Sequence, residues 1–299
     1  MIDDGTVWRL DDRAFRLTSA DPSLRWLHQN AFGLNVKIDD VSDSIATLSL
    51  QGPLSRDILR HAFGVGLDDL KYFRLTTGLL SDIPVTITRT GYTGDLGYEL
   101  WVDAQHAEAL WDTLMEAGKP YQITPAGMLA LDLARIEAGL LLIEVDYVST
   151  HRAIVESRKS SPYELGLGWT VSADKAPFVG QRALRAEKQR GPAWQFVGVE
   201  VEWDSLERLY AAEGLPPQLP TVAWRTSIPI YSNGRQVGYA TSGCWSPLLK
   251  KYIALAHLES AYANPDMPVR IEITVEHKRM QAAARVTRIP FFDPERKRV

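Results

Sequence analysis

The 299-residue chain is 45% hydrophobic and 23% charged with a formal net charge of −4, the composition of an ordinary globular protein long enough for two domains. That balance offers no basic field for nucleic acid or an anionic membrane, and the cluster Arg296, Lys297, Arg298 after Pro294 reads as a solvated tail. A single cysteine, Cys244, excludes an intramolecular disulfide framework and a Cys-based zinc site; with no apolar run of about 18 residues and an acidic start, MIDDGTVWRLDD, a soluble, unexported, cytoplasmic protein is expected.

Val7, Arg9 and Phe15, Leu17 bracket a turn at Asp11 to Arg13, which predicts two short paired strands. Asp21-Pro22 opens a helix carrying Leu24, Trp26, Leu27 and Phe32; Ser44 to Leu50 reads as a strand, and Leu54 to Phe63, after Gly52-Pro53, as a helix. The chain is then organised around Arg89 to Val102, RTGYTGDLGYELWV. Ile83, Val85, Ile87 and then Tyr98, Leu100, Val102 alternate as strands do, so Gly91, Gly94 and Gly97 should form a tight bend between them. A flat ligand can approach such a backbone closely, with Tyr92 and Tyr98 to pack on it and Asp95 or Glu99 to accept its hydrogen bonds. An ordinary Gly-rich hairpin with core tyrosines reads the same residues without a ligand.

Asp103 is a candidate N-cap for a helix with Ala107, Leu110, Trp111, Leu114 and Met115 on one face, stopped by Gly118. Thr124 and Pro125 start a second helix that Gly139 ends; Met128, Leu129, Leu131, Leu133, Ile136 and Ala138 make it apolar nearly all round, hence buried. Asp132, Arg135 and Glu137 on a buried helix must pair with one another or with a ligand, and Asp132 and Arg135 stand at i,i+3. His151 to Ser161 reads as a polar loop, Leu165 to Val171 as a strand and Phe178 to Lys188 as a short helix. Beyond Gly191-Pro192 the pattern is almost all β: Phe196 to Trp203 alternates, Ser232-Asn233-Gly234 marks a hairpin turn, and Val269 to Val275 pairs with Gln281 to Ile289. A small barrel or sandwich follows from these strands.

The six histidines are scattered without metal-ligand spacing, and no Gly-x-Ser-x-Gly elbow, phosphate-binding P-loop or G-x-G-x-x-G fingerprint occurs. Cys244, between Gly243 and Trp245, reads as packing rather than a nucleophile.

In order along the chain, IDDGTVWRL (2–10), LQGPLSR (50–56), RTGYTGDLGYEL (89–100), ARIEAGL (134–140) with SPYELGLGW (161–169) and FVGQRAL (178–184), and TSGCWSPLLKKYIALA (241–256) resemble the glycine-cleavage T-protein family. These are the tetrahydrofolate-dependent aminomethyltransferases and their demethylase relatives. The resemblance implies an α+β fold: an antiparallel-sheet folate-binding region with ferredoxin-like elements over residues 1–190, then a small β-barrel over 191–299. It implies that Asp3, first of the I-D-D acids, is the catalytic carboxylate, able to orient the substrate amine, stabilise a developing cation and handle a proton. It implies that Glu99 anchors the pterin, its two oxygens matching the paired N–H donors of the amino-pyrimidine edge. Tyr98, Tyr92 and Trp169 are candidates to wall the flat ring or its benzoyl portion, and core packing is the alternative for each. Arg135 and Glu137 fall on the family's R-x-E-A-G turn, as ligand contact or buried ion pair.

The chain also departs from the family. Leu131 stands where the family has an Arg, although Asp132 is kept, and Leu141 to Tyr147 with a polar insertion through Ser161 replaces a Tyr-Gly stretch. These changes fit a relative acting on a small methylated amine, ether or sulfonium donor rather than an aminomethyl group on a lipoyl carrier protein. The family also carries a sizeable stretch before I-D-D, so the folate sheet is expected to be incomplete, with weak folate binding and exposed apolar edges, unless another chain supplies that region. A non-catalytic folate-binding module, as in the family's iron–sulfur assembly branch, is the alternative; that branch has K-G-C-Y-x-G-Q where this chain has Ala176-Pro177-Phe178-Val179-Gly180-Gln181. A degenerate structural subunit is the third reading.

Overall fold

A computed structural model describes every residue except Pro22, Val65, Ser81, Ala173 and Val299. The chain forms two compact units, Gly5–Leu131 with Asp293–Val299, and Met1–Asp4 with Asp132–Phe292. The contacts divide near 131, whereas the sequence pattern puts the domain boundary at 190/191. Asp146 is bonded to Thr241 and Ser242, and Glu137 to Ser246, while Ile136, Leu141, Tyr147 and Leu165 pack with Phe196, Ile253 and Leu255, so polar and apolar contacts together tie the 132–190 stretch to the barrel that follows it.

In the first of these units, strands β1 (Val7–Arg9) and β2 (Phe15–Leu17) pair antiparallel as expected, their turn closed by Asp11 accepting from the amides of Arg13 and Ala14. Helix α1 covers Leu24–Asn30 and buries none of its residues; the expected Asp21-Pro22 start includes Pro22, outside the described residues, and Phe32 is exposed. Then come β3 (Ile45–Gln51), α2 (Ser55–Phe63), β4 (Leu75–Leu80), β5 (Ile83–Thr88) and β6 (Gly97–Asp103). They make an antiparallel sheet in the order β3-β6-β5-β4. Alternation along β6 sends Tyr98, Leu100 and Val102 into a core with Ile58, Leu59, Leu110 and Leu114, so the opposite face carries Glu99, Trp101 and Asp103. Each fully buried aliphatic side chain of that core contributes about 1.5–3 kcal/mol.

Helix α3 (Ala107–Gly118) buries Leu110, Leu114 and Ala117 but leaves Trp111 exposed, and Asp103 makes no side-chain cap because a 3₁₀ turn, Ala104–His106, intervenes. Helix α4 (Met128–Glu137) begins later than the Thr124-Pro125 signal predicts; Thr124 bonds instead to the carbonyl of Gln122. Its burial follows the expectation only at Ile136 and Ala138. Met128 and Leu129 are 73% and 62% exposed, whereas Asp132, Arg135 and Glu137 are buried. Gly139, at φ +67°, ends the helix as expected, its amide and that of Leu140 bonding back to Ile136 and Arg135.

In the second unit, Leu165 to Val171 is not a strand: the chain closes local turns there, including a 3₁₀ turn at Gly168–Thr170. Helix α5 (Gln181–Arg190), strand β7 (Trp194–Val201) and helix α6 (Trp203–Ala211) lead to β8 (Ile228–Ser232), β9 (Arg235–Ser246), β10 (Lys251–Glu259), β11 (Pro268–Val275) and β12 (Lys278–Thr287). The six strands close a barrel in the order β10-β7-β12-β11-β8-β9. The Asn233-Gly234 turn joins β8 to β9, and β11 pairs with β12 from Pro268 with Arg285 to Val275 with Lys278. Val199, Ile230, Val237, Leu258, Ile271 and Ala282 fill the interior.

Candidate functional site

On the open face of the four-stranded sheet, Glu99 stands in register between Ser49 of β3 and Thr88 of β5. Thr90 donates to Glu99 Oε2 at 2.7 Å, the Thr88 and Thr90 hydroxyls lie 3.0 Å apart, and Trp101 Nε1 donates to Thr88 Oγ1 at 3.2 Å. Glu99 Oε1 accepts no hydrogen bond from the described residues, and Oε2 keeps a second lone pair. The result is a half-buried carboxylate held by one side and able to accept two parallel N–H bonds on the other. Burial first, and then the charge of Glu99, push the Tyr72 phenol above its ordinary value.

The glycines serve a close approach, but the group that approaches is Gln51. A Cβ on Gly91 or Gly97 would come within 2.0 or 1.9 Å of Gln51 Oε1. Gln51 Nε2 reaches Ser49 Oγ at 3.0 Å and the carbonyls of Thr90 and Tyr98 at 3.3 and 3.4 Å, while Thr93 donates to Oε1 at 2.9 Å. The bend is therefore braced from beneath by a side chain of the neighbouring strand. Tyr92 sits on it half-buried. Tyr98 is fully buried in the sheet core, its hydroxyl accepting from Arg56 Nε at 3.1 Å. Arg296 to Arg298 is not a solvated tail: Arg296 grips Asp95 through Nε and Nη2, each at 2.7 Å, and buried Arg89 donates to the Lys297 carbonyl at 2.9 Å.

Asp3, Trp169 and Arg135 belong to the other unit. The Met1–Asp4 segment is held there by the amide and hydroxyl of Thr150, both donating to the Met1 carbonyl, and by Tyr147, whose hydroxyl donates to Asp4 Oδ1 at 2.7 Å. Asp4 keeps solvent access in a protein-dense rim; partial desolvation raises its carboxyl, with the charge of Asp3 adding and the Tyr147 bond opposing. Trp169 is 71% exposed. Arg135 is 1% exposed and bridges Asp132 (Nε to Oδ1, 2.9 Å) and Asp146; Arg225 takes the other oxygen of Asp132 at 2.9 Å. The i,i+3 pair is present, extended into a network. Burial pushes the Cys244 thiol up to about 12, which keeps it an un-ionised packing group.

The structure thus places Tyr92 on the bend and Tyr98 and Glu99 on opposite faces of β6 in one unit, and Asp3, Arg135 and Trp169 in the barrel-bearing unit. Sequence reasoning passed over Gln51, Thr90, Tyr147 and Arg296. Gln51 had a signal, the LQGPLSR stretch at the end of a strand, whereas Arg296 had none within its own neighbourhood. Among the described residues no cluster of three His, Cys, Asp or Glu is arranged for a metal ion, and no helix is long and apolar enough to cross a membrane.

Residues 1–175 match the family profile described as the GCVT N-terminal domain, and residues 214–293 match the glycine cleavage T-protein C-terminal barrel domain. An aminomethyltransferase of Halothermothrix orenii is 35% identical over 296 residues, covering 98% of this chain and 74% of the relative. One of Desulforamulus reducens is 33% identical over 299 residues, covering 98% and 73%. The crystal structure of glycine cleavage system aminomethyltransferase T from Bartonella henselae superposes with a TM-score of 0.78 at 24% identity over 98% of this chain and 73% of that one, a likeness of fold.

Proposed function

Because the chain belongs to the glycine-cleavage T-protein family, a family of transferases, we propose that it transfers a one-carbon group, aminomethyl or methyl, to tetrahydrofolate. The observation that carries this reading is Glu99, a half-buried carboxylate with Oε1 open to a donor, beside a bend that carries Tyr92. Two N–H donors on a planar amino-pyrimidine edge satisfy such an acid bidentately, and no neutral side chain at that position would do so as strongly. Tetrahydrofolate supplies the nucleophilic nitrogen that takes up the carbon. Thr90 holds Glu99 in its rotamer, Gln51 fixes the bend, and Tyr98 acts from the core by supporting the strand that carries Glu99. Asp3 orients the donor amine and takes or returns its proton, and Tyr147 steadies the segment through Asp4. Trp169 offers an aromatic face, and Arg135 holds the fold of its unit through Asp132 and Asp146.

The donor is an aminomethyl group on a lipoyl carrier protein or a small methylated amine, ether or sulfonium compound. Supplying each with tetrahydrofolate and following methylene- or methyl-tetrahydrofolate tests the reading. Product from the native chain and none from Asp3→Asn is expected; product formation indifferent to Asp3 would overturn the assignment of that residue.

A further inference from the structure

The bend at 89–96 is short of its own constraints: glycines at 91 and 94 leave its backbone more conformations than other residues would, and holding each residue in one of them costs about 1–2 kcal/mol. Gln51 braces its middle, through Thr90 and Thr93. Its two ends are stitched to one short segment far along the chain. At the start, Arg89 Nη1 donates to the Leu70 carbonyl at 2.8 Å and Nη2 to the Lys297 carbonyl at 2.9 Å. At the end, Asp95 caps the amide of Leu96 at 2.6 Å and receives the two-pronged Arg296 guanidinium, with Asp95 only 14% exposed. The Lys297 ammonium lies 6.0 Å over the Tyr72 ring, and Arg298 pairs with Asp293 to close the segment on itself.

We infer that residues 293–298 form a strap that sets the shape of the Gly-rich bend, with Arg296 as a positioning residue acting through Asp95. The inference rests on the reading of Glu99 as the pterin anchor for its effect on ligand affinity, but not for its effect on the bend itself. A planar fork is what the geometry uses, so a lysine at 296 keeps the charge and loses the second bond.

The test combines amide hydrogen exchange at residues 90–96 with calorimetric titration of tetrahydrofolate, on the native chain, Arg296→Ala, Arg296→Lys, Asp95→Asn, the Asp95→Asn/Arg296→Ala double variant and Glu99→Gln. Asparagine retains the cap on Leu96, so Asp95→Asn removes the ion pair alone. Arg296→Ala is expected to speed exchange across the bend and weaken tetrahydrofolate binding about tenfold, Arg296→Lys to fall between it and the native chain, and the double variant to be no worse than either single one. Unchanged exchange in Arg296→Ala overturns the strap. Unchanged affinity in Arg296→Ala, with Glu99→Gln impaired, overturns its positioning role. If Glu99→Gln also binds normally, it is the folate reading that fails, and the exchange data judge the strap alone.

Discussion

Gln51 occupies the space that a Cβ on Gly91 would need, its Oε1 2.0 Å from that position. Gly91→Ala must therefore turn Gln51 out of the bend and break its bonds to Thr90, Tyr98 and Thr93. Because the displaced group is the free end of a flexible side chain, the expected loss is about 1 kcal/mol rather than a failure to fold. In a Gln51→Ala background the same substitution should be close to neutral, which equilibrium urea unfolding of the four-member cycle measures. Additive losses would mean that the two residues are not coupled.

Tyr98 gives a second expectation. Its ring is part of the sheet core and its hydroxyl accepts from Arg56, so Tyr98→Phe should cost about 1 kcal/mol of stability and leave tetrahydrofolate affinity within about twofold. Titration and urea unfolding of the same sample check both; a large loss of affinity at native stability would give Tyr98 a ligand contact.

Arg135 sits between Asp132 and Asp146 with almost no exposed surface. Removing one partner of such a network strands the others, and Arg135→Met is expected to destabilise by about 3–5 kcal/mol in urea. A loss under about 1 kcal/mol would show that Thr241, Ser242 and the Leu142 amide suffice for Asp146.

His257 makes stability depend on pH. Its Nε2–H donates to the Asp146 carbonyl at 2.5 Å, and its ring stacks on Tyr239. Burial lowers its pKa below the ordinary 6.5, outweighing the opposite pull of Asp146. Below 6.5 the unfolded chain thus binds the proton that the folded chain refuses, so this contribution is complete above 6.5 and is lost as pH falls towards the folded value. The raised carboxyls of Asp4 and Glu137 slope the other way, so the difference between native and His257→Gln unfolding curves isolates the histidine. The gap between them should narrow on acidification; a constant gap contradicts the assignment.

What was legible in the sequence was whatever neighbours in the chain decide. Alternation through Ile83–Ile87 and Tyr98–Val102 located β5 and β6, and Asn233-Gly234 located the β8–β9 hairpin. Gly139 marked the end of α4 because a left-handed residue is a local demand. What was illegible depended on partners far away. Helix α4 reads as an apolar rod, yet Asp132, Arg135 and Glu137 are buried beside Ile136 because Asp146, Arg225 and Ser246 meet them. Arg296 reads as tail because Asp95 is 201 positions distant. Likewise, the RTGYTGDLGYEL run points to Glu99 but carries no sign that Gln51 fills the space its glycines open.

The central claim is that Glu99 grips the amino edge of tetrahydrofolate. Calorimetric titration of tetrahydrofolate into the native chain and into Glu99→Gln, with urea unfolding to confirm equal stability, tests it most directly. An amide at 99 offers one acceptor where two N–H donors need two, so binding should weaken by at least about tenfold, roughly 1.4 kcal/mol. Equal affinity in two equally stable proteins would contradict the claim.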